Sequence, residues 1–293
     1  MVVLIHTSKT MRSQPPLSSP TTVPALLDRA VALHSYLGTL SPRRLATVME
    51  LSGTLAAKVH EQISAWTTEP EKQWPAVESF LGDIYSGLQV SAFTAADRTY
   101  AGRHLRILSG LYGILRPYDG ICPYRLEMGY RLPDTKYSNL YRFWGSAVAE
   151  QLPKTGPIVN LAANEYSKVV LDHVDPARVI TPRFLTVNPK TGEPAFVAVH
   201  AKIARGAFAR WLIVGRVKTS TSSLQDFADL GYRYDPSTSS AREPCFVCED
   251  FEGKGLSIRL SFSSVSSARS ALPRETSMIA SSKVANSKPP GIP

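Results

Sequence analysis

The chain has 293 residues, 43% of them hydrophobic, and its 33 lysines and arginines exceed its 24 acidic residues to give a formal net charge of +9. That length and apolar fraction suffice for a sizeable globular core, and there is no run of about eighteen apolar residues to make a membrane-spanning helix. Three cysteines do not make a disulfide framework, while the basic balance directs attention to anionic partners.

The opening "VVLIH" (2–6) reads as a short buried strand. Polar residues follow it at once, without the basic segment, long apolar core and small-residue cleavage site of a leader, so a cytoplasmic protein is expected. Pro24 opens a helix that runs to about Leu37. A second begins with Ser41 as N-cap and Pro42 in the first turn, and a third covers about Thr54 to Trp66. Thr94 and Asp97 have capping-box spacing, which predicts a helix over Thr94–Leu108 that stops at Ser109-Gly110. "PIVNLA" (157–162) is a strand. "RVITPRFLTV" (178–187) and "EPAFVAVH" (193–200) are strands joined by "NPKTG", a hairpin signal with its glycine late in the loop. A helix over Ala201–Val217, a shorter one near Leu224 to Leu230 and a last strand at "CFVCE" (245–249) complete the pattern. From about Ser261 onward, serine dominates and apolar residues are sparse, so disorder is expected. The reading is one mixed α/β (α+β) domain over residues 1–252, followed by a tail over 253–293.

The charge is arranged in two places. On the 201–217 helix, Lys202, Arg205, Ala209 and Arg216 fall within about 60° of one another at 100° per residue. Ile203, Ala204, Ala207, Phe208, Trp211 and Val214 form the opposite, apolar face. No acidic residue interrupts the helix, and Gly206 beside the basic stripe costs about 1 kcal/mol relative to alanine. A close approach by a ligand or another backbone would justify that glycine. The second place is "HLRILSGLYGILRPYDGICPYRLEMG" (104–129), where a predicted helix with Arg103 and Arg106 runs into a glycine-bounded turn. Such a turn exposes backbone N–H groups that can meet phosphate oxygens, in the manner of a helix-hairpin-helix, although Gly110 and Gly113 are spaced three apart instead of two.

The lone C-x-x-C of Cys245 and Cys248 has no second pair to complete a metal site, and its surroundings suit a structural strand. The histidines His60, His104, His173 and His200 are scattered, with His200 read as a capping or core residue. No metal and no cofactor is expected.

Seven blocks carry a family resemblance: "FLGDIYSGL" (80–88), "LRILSGLYGILRPYD" (105–119), "PYRLEMG" (123–129), "LYRFWG" (140–145), "NLAANEY" (160–166), "AKIARG" (201–206) and "GYRYD" (231–235). In this order they resemble the YaaA family of peroxide-stress proteins over residues 1 to about 252. The resemblance implies a compact single-domain α/β fold with a mixed sheet, a basic cleft, a helix-hairpin-helix-like element, binding of duplex or branched DNA, and a role in limiting hydrogen-peroxide damage. It establishes no reaction. Two positions depart from the family pattern: His6 and Thr7 stand where it has Ser-Pro, and Ile203 replaces a lysine.

Phosphate contacts are therefore expected from Lys9, Arg103, Arg106, Arg116, Arg125, Lys202, Arg205 and Arg210, close backbone approach at Gly110, Gly113 and Gly206, and stacking or wedging by Tyr112. Contacts of that kind position a protein on DNA without reading its sequence. The alternative is an enzyme acting on a nucleotide or phosphorylated substrate, with Glu165 and Glu127 as acid–base groups and Lys9 and Arg125 as anion clamps beside Asn164. Its bland counterpart has both glutamates holding the fold through ion pairs. A third reading, redox sensing through Cys122, Cys245 and Cys248, lacks an evident activating environment.

Overall fold

A computed structural model of the chain describes residues 1–218 and 221–256. The serine-rich tail, expected to be disordered, lies outside the described residues from 257 onward. In chain order the principal elements are β1 (Val2–His6), α1 (Leu27–Gly38), α2 (Pro42–Val48), α3 (Gly53–Ala65), α4 (Asp83–Leu88), α5 (Ala95–His104), β2 (Leu105–Ser109) and β3 (Gly113–Leu115). They continue with β4 (Ile158–Asn160), α6 (Asn164–Leu171), β5 (Val179–Ile180), β6 (Arg183–Val187), β7 (Pro194–Ala195), α7 (Ala198–Val214), β8 (Tyr232–Tyr234) and β9 (Cys245–Cys248).

Among the described residues the fold is mixed α/β, built on two sheets. The first has five strands in the order β3-β2-β1-β4-β5, with β1 parallel to both β2 and β4, and β4 parallel to β5. Every residue of β1 and of β4 is buried. Both strands are unbroken apolar runs up to their last residue because helices cover both faces of a parallel sheet. The second sheet runs β7-β6-β9-β8. It shares an aromatic core with α7, in which Phe184, Phe208, Phe227 and Phe246 stack or meet edge to face at centroid distances of 4.9 to 6.1 Å. One contiguous buried cluster contains residues of both sheets.

Local signals hold where they are short-ranged. Ser41 caps α2 by accepting from Arg44 N, Ser52 caps α3 in the same way, and Thr94 and Asp97 form the reciprocal capping box of α5. The hairpin expected around "NPKTG" is present as β6–β7. Its second strand is short, since the helix expected from Ala201 already begins at Ala198 and ends at Val214. The strand expected over 178–187 is divided at Thr181-Pro182 between the two sheets; proline has no N–H for a ladder. The short helix expected near Leu224 to Leu230 is placed at Thr221–Leu224.

One correction changes the functional reading. The helix expected through Leu108 ends at His104, and Leu105–Ser109 is instead a strand beside β1, with Leu105–Leu108 paired residue by residue with Val3–His6. Leu105, Ile107 and Leu108 are fully buried there, so tertiary burial overrides the helical pattern. "SGLYG" is consequently the turn of the β2–β3 hairpin, not a helix-hairpin-helix. Its glycines serve internal packing. A Cβ on Gly110 would lie 2.9 Å from the carbonyl carbon of Leu126, and Gly113, at φ 71°, rests on the ring of Trp144. Tyr112 is completely buried, its hydroxyl accepting hydrogen bonds from Trp66 Nε1 at 2.7 Å and from Cys122 N at 3.2 Å. It presents no ring to a base.

Candidate functional site

β2 and β4 flank β1 on opposite sides, so the chain leaves the central strand in two directions and opens a crevice beyond the carboxyl end of β1. Open α/β sheets place ligand sites at such switch points. A cavity of about 520 Å³ lies there, lined by the loop from His6 to Thr10, the segment from Leu81 to Tyr85 at the start of α4, Glu127, the start of α6 and Lys202 of α7.

Helix α7 is brought over the crevice by its crossing with α4, in which Gly206 and Gly87 form the contact. A Cβ on Gly206 would lie 2.7 Å from Leu88 N, and one on Gly87 would lie 2.9 Å from Ala207 N, so neither position has room for a side chain. The glycine that raised the possibility of ligand contact is therefore used for helix–helix approach, and the ligand-contact expectation for Gly206 is corrected accordingly. The consequence for the site is that Lys202 and Arg205 are held over the end of β1.

His6 forms the floor. It is buried, its ring stacks on Tyr166 with centroids 4.8 Å apart, and its carbonyl accepts from Tyr85 Oη at 3.1 Å. Nδ1 accepts from Ala163 N at 3.1 Å, which places the imidazole proton on Nε2. Burial, and then the charges of Arg205 and Lys202, hold its pKa down at about 3. The ring is thus a neutral N–H donor across the physiological range.

The acidic wall is organised differently. Glu127 accepts from Tyr130 Oη at 2.9 Å and pairs with Lys9 Nζ at 2.6 Å and Arg125 Nη2 at 3.2 Å. Two of the expected anion clamps therefore already have a counter-ion, and Glu127 matches its fold-holding reading. Glu165 accepts from Gly129 N at 3.0 Å through one oxygen and has no cationic partner among the described residues. Lys202 and Arg205 likewise have no hydrogen-bond or ion-pair partner among the described residues. Arg205 is half-buried, and burial lowers its pKa.

The remaining expected contacts lie elsewhere. Arg103 is exposed at the end of α5, whose His104 hydrogen-bonds Met1 O at the amino end of the strands. Arg106 donates to the carbonyls of Gly102 and Leu105, and Arg116 pairs with Asp119 at 3.1 Å. Arg210 pairs with Asp229 at 2.6 Å. The structure brings Lys9, Lys202, Glu127 and Glu165 to one cavity, with Arg125 behind it on Glu127 and Arg205 close enough to His6 to act on its charge, and Arg103, Arg106, Arg116 and Arg210 make their contacts elsewhere. Residue-type patterns missed His6, Gly82 and Tyr166. The available signal for His6 was its position as the polar last residue of an otherwise apolar strand, at the carboxyl end of that strand.

Two thiols are shaped for burial. Cys122 is raised by desolvation, and Cys248 is pushed up to about 11 by burial and then by Asp250 and Glu252. Reactive cysteines have the opposite environment. His200 stacks on Phe251 at 3.9 Å with Nδ1 3.0 Å from Thr186 Oγ1, a core-edge role.

The family model described as Peroxide stress protein YaaA matches residues 1–238. A UPF0246 protein of Salinispora tropica is 61% identical over 259 residues, covering 88% of this chain and 98% of its own length. A UPF0246 protein of Cellvibrio japonicus is 40% identical over 261 residues, covering 85% and 99%. One from Burkholderia mallei is 39% identical over 251 residues, covering 82% and 95%.

Proposed function

Because the chain belongs to the YaaA family of peroxide stress proteins, we propose that it acts in the response to hydrogen peroxide by binding DNA through phosphate contacts at the crevice beyond β1. The observation that supports this reading is that Lys9 and Lys202 line one crevice, with Arg125 behind it on Glu127 and Arg205 near His6 at its floor, although almost two hundred residues separate the first from the last in sequence. Lys202 and Arg205 supply positive charge without a direct hydrogen-bond or ion-pair partner among the described residues, although Asp83 and Glu165 line the same cavity, and Lys9 supplies more once Glu127 yields it. The acceptors on a phosphate backbone are identical at every step, so binding is weakly sequence-specific.

Salt dependence tests the reading. Each phosphate neutralised contributes roughly −0.9 to the slope of log K against log salt. Fluorescence anisotropy with a labelled duplex is expected to give a slope of about −2 to −4. The double substitution Lys202→Gln with Arg205→Gln should flatten it by about 2. A slope near zero in the unsubstituted protein would remove DNA binding through these cations.

A further inference from the structure

The crevice is too small for a duplex and has its charge in the wrong place to serve only as a surface groove. A cavity of about 520 Å³ falls in the usual range for small-ligand sites, about 300 to 1,000 Å³, whereas a duplex whose major groove alone is about 12 Å wide can rest only on the rim. Arg205, half-buried and without a counter-ion among the described residues, stands beside His6, whose Nε2–H is the only hydrogen-bond donor its ring retains. A partly buried cation is retained against its desolvation cost when an anion completes it. An anion seated in the cavity against His6 and Lys202 lies within the field of Arg205, whose charge already acts on His6. The other side offers Asp83, Glu165 and the hydroxyls of Ser8 and Thr10, groups that repel or ignore a second phosphate but accept from sugar hydroxyls and exocyclic amines.

We propose that the cavity seats a single nucleotide by its terminal phosphomonoester, with the phosphate against Lys202, Arg205 and His6 and the nucleoside body towards Ser8, Thr10 and Glu165. Either a free nucleotide or a phosphate-bearing DNA strand end has this chemistry, and the strand-end source rests on the DNA reading above. A backbone phosphodiester inside a continuous duplex can meet the exposed Lys9 and Lys202 at the rim but does not seat inside the cavity against His6, so the site favours ends over interiors.

Competition anisotropy on the full chain separates the sources. Three labelled probes of equal length are compared: a duplex with 5′- and 3′-phosphorylated single-stranded ends, the same duplex with hydroxyl ends, and a covalently closed dumbbell. Deoxyadenosine monophosphate, deoxyadenosine and inorganic phosphate serve as unlabelled competitors. The expected result is at least tenfold tighter binding of the phosphorylated ends than of the dumbbell. Deoxyadenosine monophosphate should compete, and deoxyadenosine should not. In Arg205→Gln the preference should vanish, while Arg103→Gln, far from the cavity, retains it. Equal binding of all three probes, or competition by inorganic phosphate as strong as that of the nucleotide, overturns the nucleotide seat and leaves DNA binding standing. Arg205-dependent binding of deoxyadenosine monophosphate with no DNA binding supports the seat and overturns the DNA reading. A melting temperature of Arg205→Gln at or above that of the parent keeps loss of binding from being loss of fold.

Discussion

The first and second halves of α7 use the same residue type for opposite ends. In the second half, Arg210 is anchored by Asp229, and just beyond the helix Arg216 is held by Asp97 at 2.8 Å with its guanidinium over the Tyr100 ring. These arginines tie α7 to its neighbours. In the first half, Lys202 and Arg205 have no such partner, although Arg205 is as enclosed as an ion-paired arginine would be. Gly206 divides the two halves and fixes the helix against α4. A stripe of cations on a helix therefore says little until the acids of other elements are placed around it. Paired cations are structural, and on the proposed reading the half-buried, unpaired one is where an external anion belongs.

The largest expected effect comes from acid, and it depends on the unpaired half. Below pH 6.5 the unfolded chain takes up a proton at His6 that the folded chain refuses until about pH 3, so stability is lost as pH falls through that window. At about 1.4 kcal/mol per pKa unit the loss reaches the order of 4 kcal/mol near pH 3. His6→Asn, whose side-chain oxygen can still accept from Ala163 N, should flatten this contribution in urea melts taken across pH. Arg205→Gln should raise the folded-state pKa of His6, so that the loss ends at a higher pH and its total is smaller, because less positive charge opposes the imidazolium. Identical pH profiles for parent and His6→Asn would show that His6 is not the group refused its proton.

Next in size is the divider. Gly206→Ala drives a methyl group into the backbone of α4 and should cost about 1–3 kcal/mol or more, read as a lowered urea midpoint. Because α4 also forms part of the crevice wall, ligand binding should weaken with it. An unchanged midpoint would mean that the two helices are not in backbone contact.

The double variant Lys202→Gln/Arg205→Gln should lose DNA affinity by tenfold or more at 100 mM salt while its melting temperature stays level or rises. A matching fall in stability would place both residues in the structural class and erase the contrast between the halves. The smallest effect is expected from Arg210→Gln, which breaks a partly exposed pair and should cost about 1 kcal/mol in thermal or urea unfolding with unchanged DNA binding.

Much of this was legible residue by residue. The caps at Ser41 and Thr94, the strand at 2–6, the hairpin at 188–192 and the basic face of α7 all depend on neighbours within a few positions, and the mixed α/β class follows from their sum. The fate of 105–109 was not legible. "LRILS" has apolar residues compatible with either period, and its choice of strand is made by β1, a hundred residues away. That choice also removed Gly110, Tyr112 and Gly113 from the site, since a turn between two buried strands packs inward. Glu127 could be read as acid–base group or ion-pair partner, and only the positions of Lys9 and Arg125 around it decide.

The linear chain determined which elements form, which faces they bury, and that positive charge would outnumber negative. The tertiary structure decided which of those charges are spent. Pairing is a relation between side chains on different elements, set by how α4, α7 and the sheet meet, and no local pattern encodes it. Arg205 and Arg210 differ for that reason alone: both lie on one helix, and folding brings an acid to only one of them.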